Sequence, residues 1–357
     1  MAWDRHSTRL LAVDRYHPDR AAVCEAGAVL RGGGLVAFPT ETVYGLGANA
    51  LDAGAVERIF EAKGRPADNP LIVHLNTYEA LERYFPGLPV AVPELARRFW
   101  PGPLTLVLEG GARFPPAVTG GLATVAVRIP SHPVALALIT AAGVPVAAPS
   151  ANLSGRPSPT TAAHVLDDLD GRIDLVLDGG PSGLGVESTV LDLSGDRPVI
   201  LRPGGITLSE LEAALGSVQL DSGVDGGPCP EKPRSPGMKY THYAPRAPLI
   251  VFDGSDADRV SRCILLEAEL LAAAGFQVGV MACDETASLY DGLGYTVIKA
   301  GRRADPATVA AVLYETLRRF DRLNVDTILA EGVPAVGMGL AVMNRLRRAA
   351  GGNVVPV

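Results

Sequence analysis

Between Gly223 and Pro248, ten of 26 residues are glycine or proline, in a run containing Gly226-Gly227-Pro228-Cys229-Pro230 and Ser235-Pro236-Gly237. Proline fixes φ and removes a backbone donor, and glycine has no side chain to pack. Such a stretch continues neither a helix nor a central strand. It divides the chain, whose 357 residues suit about two domains. The expected organisation is a first domain over 1–222, a linker over 223–248 and a second domain over 249–357.

Composition narrows the class. The chain is 47% hydrophobic and 20% charged, enough to bury a core. A net charge of −7 argues against a protein that coats nucleic acid through an overall basic surface, though not against a local basic pocket. The four cysteines (Cys24, Cys229, Cys263, Cys283) form no Cys-x-x-Cys pair, which suits a reducing compartment. Met1-Ala2-Trp3-Asp4-Arg5-His6 lacks a signal pattern. No apolar run reaches the ~20 residues that span a bilayer. The expectation is a cytoplasmic protein with no membrane partner.

In the first domain, apolar runs at 35–39, 71–75, 104–108, 125–129, 144–148, 175–177, 189–193 and 199–201 read as strands. Helical spacing covers 53–62, 133–142 and 160–169. The last strands follow one another without helices, which predicts a twisted mixed sheet. In the second domain, strands at 249–252, 278–282, 296–299 and 327–330 alternate with helices at 257–274, 306–320 and 340–349. That alternation predicts a smaller, Rossmann-like, mostly parallel three-layer domain. The fold class is α/β throughout.

No Walker P-loop, nucleophile elbow or His-Glu-x-x-His is present, and the six histidines are dispersed. Gly45-Leu46-Gly47-Ala48-Asn49-Ala50 matches G-x-G-x-x-A. The expected order is strand, motif, helix, but no acid follows a second strand to hold a ribose. Other segments each allow two readings. Lys63-Gly64-Arg65-Pro66 is a helix stop with cations on the dipole, or an anion clamp. Lys63 is one of only four lysines among 32 cations, so its place calls for a reason. Pro149-Ser150-Ala151-Asn152 ends a buried strand in polar groups able to meet phosphate oxygens or a base edge. Ser158-Pro159 reads as an N-cap with proline at N1, or as a helix start facing an anion. Arg128 and Arg202 each end an apolar strand and need a salt bridge or an anionic ligand.

Together these segments resemble the YrdC-like family of L-threonylcarbamoyladenylate synthases. The resemblance rests on Pro39–Gly47, Lys63–Pro70, Pro101-Gly102-Pro103-Leu104-Thr105, Arg128-Ile129-Pro130, Pro149–Pro159, Glu187-Ser188-Thr189-Val190 and Leu201–Gly204. The family's K-x-R and S-x-N signatures stand as Lys63-Gly64-Arg65 and Ser150-Ala151-Asn152. Ser235-Pro236-Gly237-Met238-Lys239-Tyr240-Thr241-His242-Tyr243-Ala244-Pro245 resembles the linker of the two-domain form, which carries a Rossmann-like C-terminal domain. Thr241 stands where that linker usually has arginine.

The resemblance implies a nucleotidyltransferase that condenses L-threonine, bicarbonate or CO2, and ATP into threonylcarbamoyl-adenylate, releasing pyrophosphate. A threonylcarbamoyl transferase complex would then modify adenosine 37 of tRNAs reading ANN codons, with at most a weak tRNA contact by this chain. Mg²⁺ is expected to accompany ATP, carried on its phosphates. By motif, Lys63 and Arg65 are the catalytic pair. Thr42, His74, Arg128, Ala148 and Ser188 would hold threonine, with Arg128 on its carboxylate. Arg65, Asn69, Thr124, Ser150, Asn152, Ser158, Arg202 and Tyr243 would contact ATP, with Tyr240 the second choice in the linker. A linker that touches ligand would act as a lid and lose protease sensitivity over 223–248 when ATP and threonine bind. Two rivals stand beside this reading. One is a noncatalytic RNA-binding module, which 5% aromatics and negative charge disfavour. The other is a carbamoyltransferase, which would require a partner domain not visible here.

Overall fold

The structure is a computed structural model that describes residues 7–66, 69–225, 234 and 242–357. They fall into two compact units. Among the described residues, the first comprises 7–154, 158–183 and 187–234, and the second comprises 155–157, 184–186 and 242–357.

In the first unit the elements run β1 (Arg9–Ala12), α1 (Arg20–Arg31), β2 (Val36–Pro39), β3 (Tyr44–Asn49), α2 (Ala53–Lys63), β4 (Ile72–His74), α3 (Tyr78–Tyr84) and α4 (Val92–Phe99). There follow β5 (Leu104–Glu109), α5 (Pro116–Thr119), β6 (Thr124–Arg128), α6 (Pro133–Ala142), β7 (Val146–Ala147) and α7 (Ala162–Leu169). The unit closes with β8 (Leu175–Asp178), β9 (Thr189–Asp192), β10 (Val199–Arg202), α8 (Leu208–Leu215) and β11 (Gln219–Leu220). The eleven strands form one mixed sheet in the order β1-β8-β2-β3-β7-β4-β6-β5-β9-β10-β11. Strand alternation feeds two cores. Val36 and Phe38 of β2, with Leu175 and Leu177 of β8, pack with Val134, Leu138 and Ile139 of α6. Leu35, Ala37 and Val176 join Ile59, Phe60 and Val165 of α2 and α7 in the larger core. With both faces covered, these strands read as unbroken apolar runs.

The second unit runs β12 (Leu249–Asp253), α9 (Ala257–Ala273), β13 (Val278–Ala282), β14 (Thr296–Lys299), α10 (Pro306–Arg322), β15 (Thr327–Glu331), α11 (Met338–Ala349) and β16 (Val354–Pro356). Its sheet has the order β14-β13-β15-β12-β16, and every pairing is parallel. Buried Arg303 donates to the carbonyls of Gly332 and Gly254. Protein groups thus fill the strand ends where such sheets often take ligand.

The mixed and the parallel sheet are as expected, but particular elements differ. Gly45-Leu46-Gly47-Ala48-Asn49 is not a loop between strand and helix. It is strand β3 itself, antiparallel to β2, and its glycines leave room for neighbours: a Cβ on Gly47 would meet Val146 and Phe38 side chains within 3 Å. Helix α7 starts at Ala162, not near Ser158. Its cap is Thr161, which accepts from the His164 amide, while the Ser158 hydroxyl donates to Glu187 Oε1 at 2.6 Å. Elements β1, α1, α3, α4, α5, α8, β11 and β16 lie outside those expected.

Candidate active site

The first cluster forms where β4, β6 and β7 meet at one end. Val73 pairs Ala147 and His74 pairs Val146 in antiparallel register, so the chain leaving β7 arrives where β4 begins. Helix α2 stops there because Gly64 adopts the left-handed conformation, φ 60°, which glycine reaches without steric cost. The stop aims Lys63 inward. Its Nζ donates to Ser150 O and Asn152 O, each at 2.6 Å, and the Ser154 amide donates to Lys63 O. The K-x-R and S-x-N segments are thus one object. Burial, and next the charge of Arg65, push the Lys63 ammonium well below its usual pKa, against the pull of Asp168. An anion placed between Lys63 and Arg65 would restore that charge.

Around this pair, Arg65 Nη2 donates to Asn69 O at 3.2 Å. Asn69 is fully buried, yet neither its amide nitrogen nor its amide oxygen has a hydrogen bond to any of the described residues. Leaving such a group unpaired costs about 1–3 kcal/mol, so its geometry suits recognition of a ligand. Ser150 Oγ donates to Asn152 Oδ1. Thr124 is half-buried where β6 begins, four residues and roughly 13 Å along the strand from Arg128.

The second cluster lies at the other end of β4 and β6, where His74 and Arg128 are register partners. Arg128 is buried; its Nε donates to Gly102 O and its Nη1 to Thr42 Oγ1 at 3.0 Å. Its Nη2 stands 2.6 Å from Glu41 Oε1. Thr42 shares a 2.7 Å hydroxyl contact with Thr40. His74 is pushed down to about 3, first by burial and then by the Arg128 charge, so its ring is neutral near pH 7. Its Nδ1 lies 3.1 Å from Ile72 O, and because the carbonyl only accepts, Nδ1 carries the proton. Ala148 follows β7, its amide on Ile72 O. Ser188 Oγ contacts Thr105 Oγ1 at 2.7 Å and accepts from Arg202 Nη2 at 3.1 Å.

The structure therefore gathers the expected residues of the first unit into two sets: Lys63, Arg65, Asn69, Ser150 and Asn152 in one, and Thr42, His74 and Arg128 in the other, and Ser150 is bridged to Gly45, three residues along the chain from Thr42. Arg202 is bonded to Ser188, so a residue expected on ATP and one expected on threonine share a wall. Tyr243 lies in the second unit, buried against the Tyr314 ring at 5.3 Å, with Arg345 over its own ring. Tyr240 and Thr241 lie outside the described residues. Glu41 is a site-lining residue not anticipated from sequence. The signal was present: it is the only charged residue between Gly32 and Leu51.

Two family models match the chain. One, described as "Telomere recombination", covers residues 28–204. The other, described as "Threonylcarbamoyl-AMP synthase, C-terminal domain", covers 206–351. The threonylcarbamoyl-AMP synthase of Bacillus subtilis is 54% identical over 334 residues, 93% of this chain and 94% of that protein. The chain belongs to the two-domain YrdC-like family of threonylcarbamoyl-AMP synthases. A threonylcarbamoyl-AMP synthase of Pyrococcus abyssi is 51% identical over 338 residues, 93% of this chain and 95% of that one. The crystal structure of a P. abyssi family member complexed with L-threonine superposes with a TM-score of 0.92 at 48% identity, covering 98% of this chain and 100% of that one. Among the described residues, no helix is long and apolar enough to cross a membrane.

Proposed function

We propose that this chain condenses L-threonine, bicarbonate (or CO2) and ATP into L-threonylcarbamoyladenylate with release of pyrophosphate. The product would serve a transferase complex that modifies adenosine 37 of tRNAs reading ANN codons. The observation that carries the reading is the bonding of Lys63 to the carbonyls of both Ser150 and Asn152. It sets the buried Lys63 amine beside Arg65, in the same unit as Arg128.

Threonine carboxylate, carbamate and triphosphate are all anions, and fixed cations must gather them without solvent reorganisation. In this reading Arg128 takes the amino-acid carboxylate, while Thr42, neutral His74, Ala148 and Ser188 shape the rest of that subsite. Lys63 and Arg65 lie where bicarbonate and phosphates would meet. Asn69, Thr124, Ser150, Asn152, Ser158 and Arg202 line the nucleotide side, with Tyr243 proposed to join them. The amine must lose its proton before it attacks carbon; on CO2 the attack gives the carbamate directly, and on bicarbonate it forms the same C–N bond and expels water. The carbamate then attacks the α-phosphorus, and pyrophosphate leaves with the electron pair of the broken bond. Among the described residues no group of three or more His, Cys, Asp or Glu side chains could hold a metal ion. In this reading Mg²⁺ enters on the phosphates of ATP.

The test is pyrophosphate release from ATP by purified protein, with L-threonine and bicarbonate added singly and together. Release that requires both supports the reading; release that is indifferent to threonine opposes it. Retention of RNA without ATP turnover, or turnover of carbamoyl phosphate, would move the chain to one of the two rival classes.

A further inference from the structure

Glu41 stands in the turn between β2 and β3. Its side chain is 18% exposed, but both carboxylate oxygens are shielded from solvent and neither has a well-aligned hydrogen bond. It faces Arg128 Nη2 at 2.6 Å. Arg128, the Ser131 amide and its own amide hold its carboxyl below the usual range despite burial, so it is ionised. The neighbouring acids are engaged differently: Glu187 accepts from Ser158, Asp178 from Tyr44 and the Gly180 amide, and Asp168 from the Leu153 amide. A buried carboxylate whose donors are poorly aligned is costly. The groups expected around the amino acid (Thr42, His74, Arg128, Ala148, Ser188) include a cation and no anion. An α-amino acid arrives as a zwitterion, with its ammonium and carboxylate groups on a single carbon.

We propose that Glu41 is the counter-ion of the substrate's α-ammonium, the anionic half of a zwitterion-binding pair whose cationic half is Arg128. The inference rests on the amino-acid subsite proposed above. The ammonium adds N–H donors to oxygens whose contacts with Arg128 and with the Glu41 and Ser131 amides are poorly aligned, and Glu41 confers a preference for α-amino acids over hydroxy acids of the same shape. Glu41 is thus a binding residue for the amine, distinct from a prop for Arg128.

The experiment is calorimetric titration of wild-type protein and Glu41→Gln with L-threonine and with (R)-3-hydroxybutyrate, which is threonine without its amine. Wild type is expected to bind threonine at least tenfold more tightly than the hydroxy acid. Glu41→Gln is expected to lose tenfold or more in threonine affinity, with hydroxy-acid affinity within about twofold of wild type. Equal losses for both ligands would make Glu41 a support for Arg128 and overturn the proposal, as would no loss for either. If Glu41→Gln does not fold, Glu41→Asp and the wild-type preference between the two ligands decide: absence of a preference overturns it. If wild type fails to bind threonine at all, the subsite reading itself fails, an outcome separate from these.

Discussion

Lys63 is a buried amine held by two carbonyls and pressed by the Arg65 charge, an arrangement with no stabilising purpose that an apolar residue could not serve more cheaply. Lys63→Ala and Arg65→Ala are each expected to lower kcat/KM on the order of 100-fold or more and to leave the far-UV circular dichroism spectrum unchanged; wild-type turnover by either would remove the clamp. The histidines give a second test. The His74 pKa falls from its ordinary 6.5 to about 3, and that of His132 falls to about 4, in both cases chiefly through burial. A histidine kept neutral in the fold binds its proton more readily when unfolded, so stability is lost as pH drops from about 6.5 toward these values. Between pH 7 and 5 the His74 share is about 2 kcal/mol. His74→Gln should therefore flatten the pH dependence of urea denaturation by that amount, and an unchanged slope would contradict the burial account. At this scale sequence is a partial guide. Lys63, Arg65 and Arg128 stand out because a cation at the end of an apolar run is costly unless matched. Glu41 carries a weaker signal, a lone charge in an uncharged stretch, and Asn69 is marked by motif alone; their poorly matched polar atoms show only in the coordinates.

Elements position these side chains through close backbone approach. A Cβ on Gly204 would stand 2.4 Å from backbone atoms of Glu187, Ser188 and Thr189. Gly204→Ala must therefore push the start of β9, and with it Ser188, out of place. The expected cost is about 1–3 kcal/mol of stability, together with weaker threonine binding. Gly64→Ala makes the contrast: nothing lies near its Cβ, and only its positive φ resists substitution. It should cost about 1 kcal/mol. Denaturation and calorimetry on the two variants check the pair, and equal losses of affinity would contradict it. Strands buried on both faces were legible as apolar runs, and α6 matches its expected bounds because Pro133 starts it and Gly143 ends it. Strand β3 was hidden by its glycines, which look like a phosphate loop until Val146 and Phe38 are seen to fill the space beside Gly47. Helix α1 had readable spacing, with Val23, Ala26, Gly27 and Leu30 on its buried face. Helices α3 and α4 are seven and eight residues long, too short for a period of 3.6 to declare itself.

On the scale of the molecule, each sheet closes among its own strands. The parallel sheet of the second unit has its own core around Val260, Ile264, Val280 and Leu329. A fragment spanning 242–357 is therefore expected to unfold cooperatively in urea and to release no pyrophosphate; a fragment without a cooperative transition would show that this core does not suffice. Strand succession in the first half and strand–helix alternation in the second made the two sheet types readable. The short segments Gly155–Pro157 and Leu184–Val186, which belong with the second unit, were not readable. Their partners lie more than 100 residues away, as in the ion pair between Arg156 and Asp321, and no local pattern encodes that. The most direct measurement of the central claim is mass spectrometry of the product formed from ¹³C-bicarbonate, L-threonine and ATP. The account predicts one adenylate that carries threonine and the labelled carbon, equimolar with pyrophosphate. AMP and pyrophosphate without a labelled adenylate, or an adenylate of threonine lacking the label, would contradict it.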